Sequence, residues 1–156
     1  MSHQDTFKVN GNAGLPAWAA RYIGIPWVDR GRDPRGVDCY GLVWLAYRDV
    51  FGIDLPRFDA RYPSVKDRVA VSRLFFEETT GARWHRVLLT DATVPDALHM
   101  MLAGANHVGI VVAPGRFLHV LPGRETCIER LVSPAWMHRV ESVYRHEAFV
   151  LAETSA

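Results

Sequence analysis

Residues 36–43 read GVDCYGLV, and the apolar run that they open continues to Phe51. Asp38 has the short acceptor side chain that caps helix N-termini, and Gly52 is the residue type that ends helices. Apolar and aromatic residues recur at helical spacing on two sides of the run. The stretch therefore predicts a mostly buried helix over Cys39–Phe51, with a cysteine in its first turn.

Two other helical segments flank this helix. Pro16 opens a short one that runs to Tyr22, where glycine and proline follow as breakers. Ser64 begins another, with Asp67 three residues later as its capping partner, and this helix ends before Gly81.

From residue 84 onward, short β-branched runs alternate with turn residues. The runs are WHRVLL (84–89), ALHMML (97–102), HVGIVV (107–112), RFLHVL (116–121) and TCIERL (126–131). A last run, Arg139–Val150, returns along the sheet after a helical turn at Ser133–Met137. We therefore predict an α+β fold in which the central helix packs on an antiparallel β-sheet whose sequence neighbours pair.

Composition sets the outer limits. The chain has 156 residues, and 18 Lys and Arg balance 17 Asp and Glu. The length predicts a single domain, 1–156, with its core at about 16–150. The balance of positive and negative charge argues against a nucleic-acid partner. The sequence contains no run of about 18 apolar residues, so we expect no membrane span. Because the opening residues 1–14 lack a basic region followed by an apolar run, we expect no secretory signal and synthesis in the cytoplasm.

Cys39 and Cys127 have no C-x-x-C partner, and a reduced compartment disfavours a disulfide. Cys127, within a strand, is interpreted as a core thiol. Cys39 stands where helix N–H groups and the helix dipole lower a thiol pKa, so we interpret it as a nucleophile.

The catalytic partners of Cys39 are expected on the predicted strands. His107 begins a strand after a tight turn and is the candidate general base and acid. A hairpin centred on residue 113 places His119 directly opposite His107, where it orients that imidazole. The alternatives are a buried structural cysteine with unrelated histidines, and a zinc site formed by Cys39, His107 and His119. We rank the zinc site below a metal-free, cofactor-free triad.

The segments quoted above, over roughly residues 16–131, resemble the NlpC/P60 cysteine peptidases, in particular the short peptidases of phage tails and gene transfer agents. The resemblance implies a papain-like fold and cleavage of peptidoglycan stem peptides, commonly between D-glutamate and a diamino acid. It places the family's catalytic residues on Cys39, His107 and His119. It also implies substrate contacts by Asp38, at the substrate's amino end, and by Tyr22 in the cleft.

One departure is Tyr40, where many wall enzymes have serine; it is another predicted substrate contact and is more typical of the phage-tail subgroup. The implied partners are a peptidoglycan peptide and phage-like tail or baseplate proteins, with action in the periplasm or cell wall. Three arginines in the loop 29–35 are a hypothetical carboxylate site. The alternative functions are a structural tail adaptor with vestigial activity, and a papain-like amidase or acyltransferase acting on another substrate.

Overall fold

The structure is a computed structural model that describes residues 14–154. The prediction about the opening of the chain falls on residues 1–13, outside this range. A 3₁₀ turn at Ala19–Tyr22 is followed by these elements in chain order: β1 (Arg32–Asp33), β2 (Gly36–Val37), α1 (Cys39–Phe51), α2 (Arg68–Thr80), β3 (Trp84–Val87), β4 (Ala97–Leu102), β5 (Ala105–Ala113), β6 (Arg116–His119), β7 (Cys127–Arg130), β8 (Val140–His146) and α3 (Glu147–Thr154). The predicted α+β fold is confirmed. No helix among the described residues combines the length and the apolar character that crossing a membrane requires.

Helix α1 has the predicted bounds. The Asp38 side chain accepts the Gly41 N–H at 2.7 Å, and Gly52 ends the helix in the left-handed conformation, φ 65°. These two residues fix the ends because they satisfy backbone groups that a helix leaves unpaired.

The predicted start of α2 at Ser64 is wrong. Asp67 caps this helix by accepting the Ala70 N–H at 3.1 Å, and the helix begins at Arg68. Ser64 instead donates to Asp29 at 2.5 Å, which ties the preceding loop to the loop before β1.

Six strands form an antiparallel sheet in the order β3-β8-β4-β5-β6-β7. The expectation that sequence neighbours pair fails at β3 and β4, because β8 lies between them. A buried ion pair between Arg145 of β8 and Asp96, 3.0 Å apart, holds β8 beside β4. The predicted last strand is too long: at residue 147 the chain turns into α3, and the His146 ring accepts the Ala148 N–H.

Helix α1 packs on one face of the sheet through a cluster that includes Ile110 and Val112. Val111, Phe117 and Trp136 belong to a second cluster. Since neighbouring residues of a strand point to opposite faces, the two clusters lie on opposite faces of β5. Cys127 lies on the edge strand β7 and is exposed, so its interpretation as a core thiol is wrong.

Candidate active site

Cys39 is the first residue of α1 and is partly exposed. The backbone N–H groups of Val108 and Tyr40 lie close enough to its sulfur to lower the pKa of the thiol. The sulfur therefore lies beside Val108 of β5, the residue that directly follows the predicted base His107 in the chain.

A buried ion pair anchors the start of α1. Arg32 donates to Asp38 at 2.8 Å, and both side chains are almost fully buried, 2% and 1% exposed. Tyr62 and the Arg30 N–H donate to the other Asp38 oxygen, so four hydrogen bonds, including the capping bond, reach this carboxylate. A carboxylate has about four acceptor positions. The bonds make Asp38 the anchor of the nucleophile helix, and its contact with the substrate's amino end stays a prediction.

The three loop arginines do not form a common site. Arg32 is 5% exposed and is committed to Asp38 and Tyr62. Arg35 pairs with Asp33 at the surface, and Arg30 donates to a backbone carbonyl. The hypothesis of a carboxylate site is wrong for Arg32, because an internal carboxylate already occupies its guanidinium.

The structure brings His107 and His119 together. His107 Nε2 lies 2.8 Å from His119 Nδ1, and both residues are buried. The predicted hairpin register is wrong, however: Ile110 pairs with Leu118, and an irregularity between Val111 and Ala113 shifts the strands.

In the observed register His119 lies beside Gly109, and a Cβ on that glycine would lie 3.3 Å from the Cβ of His119. The missing side chain at Gly109 lets the His119 ring reach diagonally to His107.

Two residues that the sequence reasoning missed complete this cluster. Glu129 of β7 hydrogen-bonds His119 Nε2. Trp136 packs edge-on against His119, with ring centroids 4.7 Å apart, and lies roughly parallel to His107. Alternation along β7 could have placed Glu129 near His119, because it lies two residues from the cross-strand partner of His119. Nothing in the local sequence marks Trp136.

The pKa of Cys39 contradicts the expected lowering. Burial raises the pKa of the thiol to about 12, and the Asp38 carboxylate raises it further, whereas the N–H groups of Val108 and Tyr40 act in the opposite direction. Burial lowers the pKa of His107 to about 3, assisted by His119 and His99. At neutral pH the site therefore holds a neutral thiol and a neutral imidazole.

The buried histidines predict that the protein loses stability in mild acid. Burial lowers the pKa of His99, His107, His119 and His146 below the ordinary 6.5. The unfolded chain then binds more protons than the folded chain below pH 6.5, so the free energy of unfolding falls as the pH drops toward the folded pKa values. We expect His107 alone to lower the free energy of unfolding by about 2 kcal/mol as the pH falls from about 6.5 to 5.

Urea unfolding at several pH values measures this slope. His107→Gln should flatten it, whereas replacement of the exposed His85 should leave it unchanged. If the free energy of unfolding falls with pH as steeply in the His107 variant as in the wild type, buried His107 does not cause the loss of stability.

An apolar cavity of about 100 Å³ lies next to Cys39, under α2. Among its lining residues are Val43, Leu74, Phe75, Val108 and Tyr144. Tyr40 also lines it, and its hydroxyl donates to the Pro56 carbonyl at 2.6 Å. Tyr22 does not line it: its ring packs on Trp18, and burial, assisted by Asp49 near the far end of α1, raises the pKa of its hydroxyl. The structure thus brings Tyr40 and Asp38 to the nucleophile and leaves Tyr22 apart.

The zinc alternative does not match the arrangement of the described residues. Across 14–154, one group of three His, Cys, Asp or Glu side chains has its ligand atoms mutually within 4.8 Å, and it consists of His119, Cys127 and Glu129. Cys39 does not belong to it, which disfavours metal ligation by Cys39, His107 and His119 together.

A cysteine at the first turn of a buried helix, packed on a sheet that carries a histidine oriented by a third polar group, is the arrangement of papain-like cysteine peptidases. The chain belongs to the NlpC/P60 family, whose model matches residues 24–145.

Two curated relatives illustrate the similarity. The chain is 26% identical over 130 residues to the gamma-DL-glutamyl hydrolase of Bacillus subtilis (strain 168), covering 83% of this chain and 28% of that protein. It is 26% identical over 128 residues to the murein DD-endopeptidase MepS/murein LD-carboxypeptidase of Escherichia coli (strain K12), covering 81% of this chain and 58% of that protein. The chain thus spans less than two thirds of the length of either relative.

A solved structure agrees with the fold. The NlpC/p60 domain of peptidoglycan hydrolase SagA superimposes with a TM-score of 0.57 at 25% identity, covering 83% of this chain and 93% of that one. A second NlpC/P60 protein, from Bacillus cereus, has a TM-score of 0.57 at 21% identity, and the match covers 85% of this chain and 41% of that one.

Proposed function

We propose that this protein hydrolyses an amide bond in the stem peptides of peptidoglycan, with Cys39 as the nucleophile. The observation that carries the proposal is the position of Cys39 in the first turn of α1, beside Val108, the residue that follows His107, whose ring is bonded to His119. The names of the relatives support the substrate class, since two of them denote peptidoglycan or murein hydrolysis.

The bond between the two rings supports a separate role for each ring in the proposed reaction. Because His119 occupies Nε2 of His107, the proposed reaction requires His107 Nδ1 to accept the thiol proton as the sulfur attacks the carbonyl carbon. Because thiol and imidazole are both neutral at rest, this proton moves during the attack and not before it. Protonated His107 then donates to the leaving amine, and water releases the acyl group from Cys39. The Cys39 N–H, in the first turn of α1, is the candidate donor to the oxyanion.

Glu129 fixes the tautomers in this chain of bonds. Its carboxylate accepts a hydrogen bond from the His119 Nε2–H, so His119 Nδ1 is an acceptor and His107 carries its proton on Nε2. Glu129→Gln should lower kcat by about 10- to 100-fold with little change in KM, because an amide can donate to His119 and favour the wrong tautomer. Steady-state kinetics measure the change in kcat separately from the change in KM. Glu125→Gln, at an exposed carboxylate of the same hairpin, is the matched control; an equal loss in both variants would contradict the assignment.

The apolar cavity favours a second candidate, an amidase or acyltransferase acting on an acyl amide of low polarity. Cys39 lines this cavity together with mostly hydrophobic side chains, and such a pocket accepts an alkyl group more readily than a carboxylate.

One experiment separates the two candidates. Purified protein is incubated in parallel with peptidoglycan sacculi and with N-acyl amino acids, and mass spectrometry identifies the products. Shortened stem peptides from the sacculi support the first proposal. Release of fatty acid without any change in the muropeptides would overturn it in favour of the second.

The setting of the enzyme is a further part of the proposal. We propose that a phage-like tail or baseplate carries it to the periplasm or cell wall, and the feature that supports this setting is Tyr40 directly after the nucleophile. Purified particles analysed by quantitative mass spectrometry should contain the protein together with tail components. Its absence from such particles would contradict the setting and leave the proposed chemistry untouched.

A further inference from the structure

The outer side of the histidine pair carries three potential metal ligands that the proposed reaction does not require together. They are His119 Nε2, Cys127 Sγ and a carboxylate oxygen of Glu129, all within 4.8 Å of one another. Cys127 is the direct cross-strand partner of His119, and Glu129 follows two residues later on the same face of β7. The sheet therefore brings the three side chains together by its register.

The burial of the three residues differs in a way that suits an ion arriving from solvent. His119 is fully buried and is held by ring contacts with Trp136 and Phe117. Cys127 is exposed, and the Glu129 side chain is 38% exposed. One ligand is thus fixed, while the other two can rotate at an edge strand.

The chemistry of the set points to one class of ion. Imidazole, thiolate and carboxylate are the donors of zinc sites, and three protein ligands leave a fourth position for water. Tetrahedral ligands of Zn²⁺ lie roughly 3.3–3.8 Å apart at ordinary bond lengths. Binding therefore requires the Cys127 and Glu129 side chains to rotate, so that ligand atoms now up to 4.8 Å apart reach this spacing.

We propose that His119, Cys127 and Glu129 form a binding site for a thiophilic divalent cation such as Zn²⁺, and that occupation of this site inhibits the enzyme. Binding releases the Cys127 thiol proton to solvent. It also takes the Nε2 lone pair of His119, so the ring proton of His119 resides on Nδ1.

This inhibition rests on the proposed function. A proton on His119 Nδ1 donates to His107 Nε2, so His107 carries its own proton on Nδ1, the nitrogen that must accept from Cys39. His107 is then held in the wrong tautomer, a state that costs serine peptidases about 10⁴-fold in kcat. Metal binding itself does not depend on any substrate.

Cobalt substitution tests the binding. Titration of the whole protein with Co²⁺ should produce near-ultraviolet thiolate-to-cobalt charge transfer that saturates at one equivalent and is removed by Zn²⁺. Cys127→Ser should abolish this absorption, and Cys39→Ala should retain it. No absorption in the wild type, or loss in Cys39→Ala with retention in Cys127→Ser, would overturn the proposal.

Hydrolysis in the presence of Zn²⁺ tests the coupling. The wild type should be inhibited at zinc concentrations at least tenfold lower than those needed for Cys127→Ser, whose activity without metal is unchanged. Equal sensitivity of the two proteins would overturn the inhibitory role. If neither protein hydrolyses peptidoglycan, the proposed function fails, while the cobalt titration still decides the metal site.

Discussion

Cys39→Ala is expected to abolish hydrolysis of peptidoglycan, with a fall in rate of at least roughly 10³-fold. Alanine removes the sulfur and leaves the helix start intact, because the capping and ion-pair bonds of Asp38 do not involve the Cys39 side chain. The rate at which new amino groups appear in purified sacculi measures the loss.

Cys127→Ala is the matched control, since it removes the other thiol of the chain from an exposed position. It should keep the wild-type rate. Hydrolysis by Cys39→Ala near the wild-type rate, or a comparable loss in Cys127→Ala, would exclude Cys39 as the nucleophile.

Arg32→Met is expected to lower the free energy of unfolding by about 3–5 kcal/mol, because it leaves the Asp38 carboxylate buried without its cation. Methionine retains the apolar stem of the side chain, so the lost charge accounts for most of the effect. Chemical denaturation followed by tryptophan fluorescence measures it.

Two variants control this result. Arg35→Met removes an exposed pair, 92% and 48% exposed, and should leave the free energy of unfolding nearly unchanged. The double variant Arg32→Met with Asp38→Asn should recover much of the stability, because asparagine still caps α1 and no charge remains buried. A double variant as unstable as Arg32→Met would show that packing, and not charge, is responsible.

Local signals determined what the sequence could predict. Asp38 and Gly52 define both ends of α1 through bonds within a few residues, and alternating runs define most of the strands. The predicted hairpin correctly paired His107 with His119 although its predicted register was wrong, because Gly109 leaves room for a diagonal contact between the two rings.

Contacts distant in sequence determined the rest. Tyr62 reaches Asp38 across 24 positions, and β8 enters the sheet beside β4 through Arg145 and Asp96. The helix dipole was expected to lower the pKa of the Cys39 thiol, but the pKa is raised, because burial outweighs the N–H groups that favour a thiolate. Burial of this kind depends on the strand and cavity around the sulfur, which the sequence near residue 39 does not specify.

Partition of the reaction between water and hydroxylamine tests the covalent mechanism most directly. If the stem peptide is transferred to Cys39, hydroxylamine will intercept the thioester, and mass spectrometry will find the peptide hydroxamate beside the free acid in a ratio that rises with hydroxylamine concentration. Formation of only the free acid at every hydroxylamine concentration would contradict an acyl-enzyme at Cys39.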